Sequence, residues 1–187
     1  ETELLVKCAL PLLQDIECPR FLELGTGSGC ISISILKNNP RATVVGTDVC
    51  IAALDITNEN AIHHAVSSRM TLIRSDLFSA IPAEEFDLIV SNPPYIAASD
   101  LATLEPEVRD HEPSSALTDG SDGLSLIRRI VLDSHSYLRP EGSLIMEFGY
   151  GQSAAVESMF EPSIWKRVSV RKDMNGIDRV VIATTRK

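Results

Sequence analysis

The feature of this chain that most constrains its fold is a regular alternation of short apolar runs with amphipathic segments of helical period. Apolar runs bounded by turn residues indicate buried strands, whereas apolar residues that recur every three or four positions indicate helices. Strands that alternate with helices predict a parallel sheet covered by helices on both faces. With 187 residues, the chain is long enough for one such domain with a substantial core.

The pattern assigns most of the chain to regular elements. Helices are expected at residues 2–15, 28–39, 51–65, 122–138 and 151–160. Strands are expected at 20–25, 42–48, 70–76, 86–92, 143–149, 165–173 and 179–185, the last two as an antiparallel hairpin at the sheet edge. Residues 95–121 are irregular, and a loop of that length in a compact domain is usually functional or disordered.

The first four predicted strands end in residues that suit a ligand site, namely Gly25, Asp48, Asp76 and Asn92. In open parallel sheets, ligands bind beyond the carboxyl ends of the strands. Because all four residues follow such ends, we expect them to converge on one edge of the sheet.

A glycine-rich turn follows the first strand and comprises Gly25, Thr26, Gly27, Ser28 and Gly29. Glycines let the backbone turn tightly and let a ligand approach the main chain. The spacing GxGxG differs from the GxGxxG fingerprint of dinucleotide-binding proteins, which keeps a glycine where the helix meets the pyrophosphate. A tight turn that binds no ligand is the alternative.

Three acidic side chains surround this turn. Asp48 can accept both hydroxyls of a ribose, Asp76 can meet an adenine amino group, and Glu23 can attract an ammonium group. The respective alternatives are a cap on the helix near residue 51, a solvated acid, and a buried structural hydrogen bond. Ribose, adenine, ammonium and sulfonium together describe S-adenosylmethionine, whereas carboxylates repel a polyphosphate. We therefore expect S-adenosylmethionine as cofactor and S-adenosylhomocysteine as product.

The fourth strand ends in the sequence Asn92, Pro93, Pro94, Tyr95. Each proline fixes its own φ and lacks a backbone N–H, and Pro94 biases Pro93 toward extended geometry. The Asn92 side-chain oxygen and the Pro93 carbonyl oxygen can then point together as two acceptors for a planar –NH2 group. The nitrogen lone pair is left facing a methyl donor, and the Tyr95 ring can pack against the substrate. A proline-rich turn with a packed tyrosine is the alternative.

Charge and composition exclude several classes of function. The net charge of −9 argues against direct nucleic-acid binding, although Lys166, Arg167, Arg171 and Lys172 form a local basic group. No apolar run approaches the roughly 20 residues of a membrane span, and the first residues lack the features of a signal peptide. The four cysteines lack metal-binding spacing, which predicts buried free thiols in a reducing cytoplasm and no metal site.

Four further polar residues receive no catalytic assignment. His63 and His64 are expected on the surface of a helix. Arg109 and His111 belong to the irregular segment, where they are expected to be loop structure that can border the substrate.

Taken together, the motifs of this chain resemble the protein-(glutamine-N5) methyltransferases that modify peptide chain release factors, the HemK/PrmC group. The resemblance covers nearly the whole chain and rests on the sequences ELGTGSG, VGTD, SDLF, SNPPY, LEPEVRDHEPSSAL, DGLSLIRRI, EFGYGQ and VRKDMNGIDRVV. It implies a class I, Rossmann-like fold with seven strands in the order 3-2-1-4-5-7-6, the last inserted antiparallel. The implied reaction moves a methyl group from S-adenosylmethionine to the glutamine amide nitrogen of the Gly-Gly-Gln motif in release factors.

The resemblance also implies residue roles. Gly25 to Gly29 cradle the cofactor, Asp48 takes its ribose, and Asn92 to Tyr95 bind the glutamine, with Asn92 also near the cofactor. The family often has tryptophan after the acid at position 76, beside the adenine; here that residue is Leu77, and Phe78 is expected to compensate. A small helical domain usually precedes the catalytic one, so we expect residues 1–187 to be a catalytic fragment that binds cofactor and holds its protein substrate weakly.

Other functions remain open at this level. The sister group that methylates a glutamine of a large-subunit ribosomal protein shares the NPPY motif, although the ending KDMNGIDRVV favours the release-factor group. An adenine-N6 methyltransferase would bind a similar planar amine, but the charge and the lack of a target-recognition region argue against it. A catalytically silent cofactor-binding scaffold and a dehydrogenase are further alternatives.

Overall fold

The computed structural model describes residues 2–82, 84–103 and 114–186. Its core is a seven-stranded sheet. The strands are β1 (Arg20–Leu24), β2 (Thr43–Asp48), β3 (Met70–Arg74), β4 (Phe86–Ser91), β5 (Leu138–Glu147), β6 (Trp165–Lys172) and β7 (Asp178–Thr185).

The sheet order is β3-β2-β1-β4-β5-β7-β6. Strands β1 to β5 pair in parallel, whereas β7 is inserted antiparallel between β5 and β6. This is the order that the resemblance implies, and β6 and β7 form the predicted edge hairpin. The predicted fold is confirmed.

Helices cover both faces of the sheet. They are α1 (Thr2–Leu13), α2 (Cys30–Asn38), α3 (Ile51–His63), α4 (Ser114–Leu117), α5 (Ser125–Tyr137) and α6 (Ser153–Glu157), with short 3-10 turns at Ser67–Arg69 and Ala98–Thr103. One apolar cluster lies under α1 and α2, and the other under α5 and α6. Neighbouring β1 residues divide between them, because Phe21 faces the first cluster and Leu22 the second.

Three elements differ from their predicted lengths. Strand β5 begins at Leu138 rather than at 143, because the strand continues through Pro140 and Gly142 and pairs with β4 on both sides of a register shift. Helix α6 has only five residues, since the backbone turns at Phe160 and Pro162 follows. Helix α5 starts at Ser125, after a turn that is held by Asp119.

The cysteines correct one expectation from the sequence. All four are free, as predicted, but only Cys8 is half-buried, whereas Cys18, Cys30 and Cys50 are exposed. The prediction of buried thiols was wrong for these three residues. Cys18 lies in the loop before β1, and Cys30 and Cys50 lie at the N-termini of α2 and α3, where their side chains are exposed. Burial raises the pKa of the Cys8 thiol above its ordinary value, an effect that Arg171 opposes.

The surface of the described residues adds three observations. None of their helices is long and apolar enough to cross a membrane. His63 and His64 are exposed at the end of α3, as predicted. Of the long segment expected to be irregular, the described parts contain a 3-10 turn, α4 and a bridge between Ile96 and Thr118.

Candidate active site

Strand register brings the predicted rim residues to one edge of the sheet. Leu24, at the end of β1, pairs with Thr47 of β2 on one side and with Ser91 of β4 on the other. The next residues along these strands are Gly25, Asp48 and Asn92. The glycine-rich turn therefore lies between the carboxylate and the NPPY corner.

The glycine-rich turn leaves space on its outer side. Gly25 and Gly27 have φ of +69° and +55°, and a Cβ on either would meet no heavy atom within 4 Å. Only glycine adopts this backbone without strain, and the open space lets another molecule approach the main chain closely. Thr26 is buried, and its backbone N–H donates to the Thr47 carbonyl oxygen at 2.8 Å, which ties the turn to β2.

Helix α3 supports the same turn from the other side. Thr57 Oγ1 donates to the Gly27 carbonyl at 2.8 Å, and Asn60 Nδ2 donates to the Ser28 carbonyl at 2.9 Å. At Gly29, where φ is +79°, a Cβ would lie 2.8 Å from Thr57 Cγ2. Sequence reasoning missed Thr57 and Asn60, because nothing in their spacing indicates which loop they contact.

Asp48 fixes the backbone around the turn. Its Oδ2 accepts the Gly27 N–H at 3.0 Å, and its Oδ1 accepts the Cys50 N–H at 2.9 Å. The second bond closes a short turn before α3, whose N-cap residue is Cys50 and has no side-chain capping bond, so Asp48 is not the helix cap that the sequence offered as an alternative. Each carboxylate oxygen has a second acceptor position, which leaves Asp48 able to bind hydroxyl groups as well.

Glu23 is a buried carboxyl on β1, with 1% of its surface exposed. Its Oε2 accepts hydrogen bonds from Thr26 Oγ1 at 2.7 Å and from Ser32 Oγ. Among the described residues none bonds to Oε1. Burial raises the pKa of Glu23 to about 7, although the Ser32 and Thr26 hydrogen bonds lower it, and the nearby charge of Asp48 adds to the increase.

Asp76 and Leu77 follow β3 at the same edge. Asp76 Oδ2 forms an ion pair with Arg129 Nη2 of α5 at 2.9 Å, and both side chains are about half exposed. Leu77 is half-buried with φ of +49° and lies with Asp76 along a cleft of about 480 Å³. Phe78 stacks on Tyr137 with ring centroids 4.6 Å apart, and both residues line the same cleft, so its expected compensation for the missing tryptophan stays a prediction.

The NPPY corner has one end fixed in the sheet. Ser91 Oγ donates to the Leu24 carbonyl at 2.9 Å, which anchors the end of β4 to β1. Pro93 is buried, and Asn92 and Pro94 are half-buried. Within the described ranges no residue hydrogen-bonds to the Asn92 side chain, whose amide is thus available to a ligand.

Comparison with known proteins decides which family this arrangement represents. The sequence profile of the methyltransferase small domain matches residues 2–105. That range is more than half of the 187 residues.

The chain belongs to the methyltransferase small domain family.

Individual relatives of this methyltransferase domain are more specific. It is 45% identical over 183 residues to a release factor glutamine methyltransferase of Cereibacter sphaeroides, covering 98% of the chain and 64% of the relative. Identity to the protein of the same name from Geobacter sulfurreducens is 42% over 181 residues, covering 97% of the chain and 62% of the relative. The chain therefore spans less than two thirds of the length of these relatives.

A solved structure agrees with the sequence relatives. The crystal structure of a release factor-specific protein-(glutamine-N5) methyltransferase from Alicyclobacillus acidocaldarius superposes with a TM-score of 0.60 at 31% identity. The match covers 98% of this chain and 90% of that one. The resemblance predicted from the sequence motifs is confirmed.

The far end of the NPPY corner in this methyltransferase domain is held by residues for which sequence reasoning gave no role. Tyr95 Oη donates to Glu147 Oε1 at 3.1 Å, and the Tyr95 carbonyl accepts Gln152 Nε2 at 2.9 Å. Gly123 lies against the same carbonyl so closely that a Cβ there would be 2.3 Å from the oxygen. Only the motifs DGLSLIRRI and EFGYGQ of the family resemblance pointed to these segments.

A compact turn presents Gly123 to Tyr95. Asp119 accepts hydrogen bonds from the backbone N–H groups of Ser121, Gly123 and Ser125, and from Ser125 Oγ at 2.6 Å. Partial burial opposes ionisation, but these hydrogen bonds outweigh it and lower the pKa of Asp119 below its ordinary value. Arg109 and His111 lie outside the described residues, so their predicted loop role stays a prediction.

Proposed function

We propose that this chain is the catalytic domain of a protein-glutamine N5-methyltransferase that acts on peptide chain release factors. The methyl group would move from S-adenosylmethionine to the side-chain amide nitrogen of the glutamine in the Gly-Gly-Gln motif. One observation carries the proposal: the available Asn92 amide stands at a proline-fixed corner, beside an open glycine turn and a ribose-type carboxylate. The relatives named above supply the class of substrate.

The residues around the glycine turn fit S-adenosylmethionine. The open backbone of Gly25 and Gly27 would take the amino-acid part, Asp48 the ribose hydroxyls, and Asp76 with Leu77 the adenine. Glu23 is almost fully buried and its pKa is raised to about 7, so it would act on the ammonium group at a distance, and a bound cation would in turn favour its ionised form. When bound, this cofactor supplies an electrophilic methyl group on a sulfonium.

Asn92 and Pro93 would hold the substrate amide in place. The Asn92 side-chain oxygen and the Pro93 carbonyl oxygen each accept one of the two N–H bonds of the glutamine amide. With both protons held, the only free direction of the nitrogen is its out-of-plane lone pair. Gly25 and Asn92 follow adjacent strands, which supports a methyl donor bound at the glycine turn on the side of that lone pair.

These two acceptors also favour the transition state over the ground state. An amide nitrogen is a poor nucleophile because its lone pair is delocalised into the carbonyl group. As the N–CH3 bond would form and the S–CH3 bond break, the nitrogen gains positive charge and its N–H groups become stronger donors to Asn92 and Pro93. One of these protons then passes to solvent, which leaves the neutral N-methylamide. Orientation of two bound reactants can contribute as much as roughly 7–11 kcal/mol, which makes a fixed corner valuable.

Mass spectrometry of a release factor tests the proposal. Incubation with the chain and S-adenosylmethionine should add one methyl group to the glutamine of the Gly-Gly-Gln motif and to no other residue. Asn92→Ala should reduce the rate by about 10²–10³-fold, the cost of losing one transition-state hydrogen bond. S-adenosylhomocysteine affinity should change little, because Asn92 faces the substrate amide.

A matched control is Asn58→Ala, since Asn58 is an exposed amide on α3. It should leave methylation unchanged. A full rate with Asn92→Ala would remove Asn92 from the mechanism. Methylation of a large-subunit ribosomal protein or of adenine, in place of the release factor, would reassign the substrate.

Location and partners follow from the proposed substrate. Release factors act on cytoplasmic ribosomes, so we place the activity in the cytoplasm and expect no direct nucleic-acid partner.

A further inference from the structure

We infer that Gln152 is a positioning residue that fixes the substrate-binding corner from its far end, an inference that rests on the proposed function. Its side-chain amide bridges two segments. Oε1 accepts the Gly149 N–H at 2.8 Å, and Nε2 donates to the Tyr95 carbonyl at 2.9 Å. Gln152 thus links the loop after β5 to the corner that begins at Asn92.

The bridge is anchored in the sheet on its own side. The Gln152 N–H donates to the Gly149 carbonyl at 3.2 Å, and the Gln152 carbonyl accepts the Val156 N–H of α6 at 2.9 Å. Phe148, just before this turn, is fully buried and bonds through its N–H to the Arg179 carbonyl at 2.9 Å. Because these backbone bonds fix Gln152, its side chain has little freedom. Its bond to the Tyr95 carbonyl therefore holds Tyr95 at a fixed position relative to the sheet.

Close packing leaves the Tyr95 segment little room to move. A Cβ at Gly149 would be 3.1 Å from Tyr95 Cδ2 and 3.0 Å from Gln152 Oε1. The Gly123 backbone also lies against the Tyr95 carbonyl. After Tyr95, the Ile96 N–H donates to the Leu117 carbonyl at 3.0 Å.

The Gln152 bond to Tyr95 also affects the position of Asn92, because the two residues between them are prolines with restricted backbones. Pro93 and Pro94 have fixed φ angles, so the segment from Asn92 to Tyr95 moves nearly as one unit. Ser91 holds its first end through the Leu24 carbonyl, and Gln152 holds its last. Loss of the bond to the Tyr95 carbonyl should therefore let the Pro93 carbonyl turn away from the substrate amide, by the small rotation that the surrounding packing permits.

Gln152→Glu is the most specific test because it keeps the shape of the side chain and removes only its hydrogen-bond donor. The introduced carboxylate can still accept the Gly149 N–H, but it faces the Tyr95 carbonyl oxygen without a proton to donate. We expect kcat for release factor methylation to fall about 10- to 100-fold, the range for a reactant misplaced by up to 1 Å. KM for S-adenosylmethionine should stay within about twofold, since no cofactor contact changes.

A pH profile separates positioning from general damage. Below neutral pH the introduced carboxyl takes up a proton and regains a donor for the Tyr95 carbonyl. The ratio of variant to wild-type kcat should therefore rise as pH falls from about 8 to 5.5, toward the ordinary glutamate pKa. Gln14→Glu, at an exposed position on the opposite edge of the molecule, is the matched control and should give a ratio near one at every pH.

Hydrogen exchange gives a readout that does not require activity. Release of Tyr95 should speed exchange of the neighbouring Ile96 N–H by about tenfold or more, while that of Val90 in the central strand β4 stays unchanged. A variant with unchanged kcat, or a reduced kcat ratio that is flat with pH, overturns the inference. If the wild-type chain methylates no release factor, the proposed function fails, and unchanged Ile96 exchange then overturns the inference while faster exchange supports it.

Discussion

A single carboxyl, Glu23, illustrates how local environment sets the chemistry of a residue. The sequence placed it two positions before the glycine-rich turn and left open whether it attracts an ammonium group or makes a buried hydrogen bond. In the structure it accepts hydroxyl bonds from Thr26 and Ser32. The Ser32 contact depends on how α2 packs on β1, a tertiary relation that no spacing in the sequence encodes. By contrast, the site positions of Asp48 and Asn92 follow directly from the strand ends.

The Glu23 environment predicts a specific dependence of stability on pH. Its pKa is about 7 in the folded state and near the ordinary 4.5 in the unfolded chain. Its contribution to stability is therefore fully present below pH 4.5 and is lost as pH rises through 7. The shift corresponds to roughly 3 kcal/mol in the free energy of unfolding at pH 8.

Urea unfolding of Glu23→Gln should show that this loss of stability between pH 5 and 8 disappears. The amide stays neutral and can still accept the Thr26 hydroxyl. Glu59→Gln, an exposed substitution on α3, is the control and should retain the wild-type profile. A variant profile parallel to the wild type would show that Glu23 does not titrate in this range.

At the scale of elements, the spacing of apolar residues predicted which strands and helices exist and their order along the chain. It placed the end of β5 two residues too late, and it placed the beginning five residues too late because Pro140 and Gly142 carry a turn signature. It extended α6 past its five residues, because apolar positions continue to Phe160 while the backbone has already turned. For β5 the pairing with β4 overrides a local turn preference, whereas α6 ends at a local backbone turn that precedes Pro162. The loop between Gly149 and Gln152 became visible only in the structure.

Packing between the glycine turn and α3 predicts different effects for two glycine substitutions. Gly25→Ala and Gly29→Ala both place a side chain at positive φ, which costs about 1–2 kcal/mol. Only at Gly29 does the new Cβ also collide, at 2.8 Å from Thr57 Cγ2. Overpacking of that kind costs about 1–3 kcal/mol more.

Thermal or urea unfolding should rank Gly29→Ala as the less stable variant. Gly25→Ala should instead lose affinity for S-adenosylhomocysteine, because its Cβ enters the open space beside the turn. Equal stability of the two variants would show that α3 yields to the added methyl group.

At the scale of the whole molecule, the alternating pattern predicted a parallel sheet with two covered faces but not its strand order. Order depends on which face each connection crosses, and local period carries no such information. The order came from the family resemblance, and the structure confirms it.

The net charge of −9 is also a property of the whole molecule, and the basic group on β6 offsets it only locally. Two of those cations are paired, Lys166 with Glu141 and Lys172 with Asp178.

This charge balance predicts weak, non-specific behaviour toward nucleic acid. The chain should elute from a DNA column below about 100 mM salt, because few phosphates are neutralised on binding. Retention above that concentration, with a steep dependence on salt, would revive an adenine-N6 methyltransferase as the function.

The most direct test of the central claim is a crystal structure with S-adenosylhomocysteine and a release factor peptide containing Gly-Gly-Gln. We predict that Asn92 Oδ1 and the Pro93 carbonyl oxygen each accept a hydrogen bond from the glutamine amide nitrogen at about 2.9 Å. The cofactor sulfur should lie on the open face of that amide. A glutamine bound elsewhere, or an Asn92 amide turned into the protein's own packing, would contradict the account.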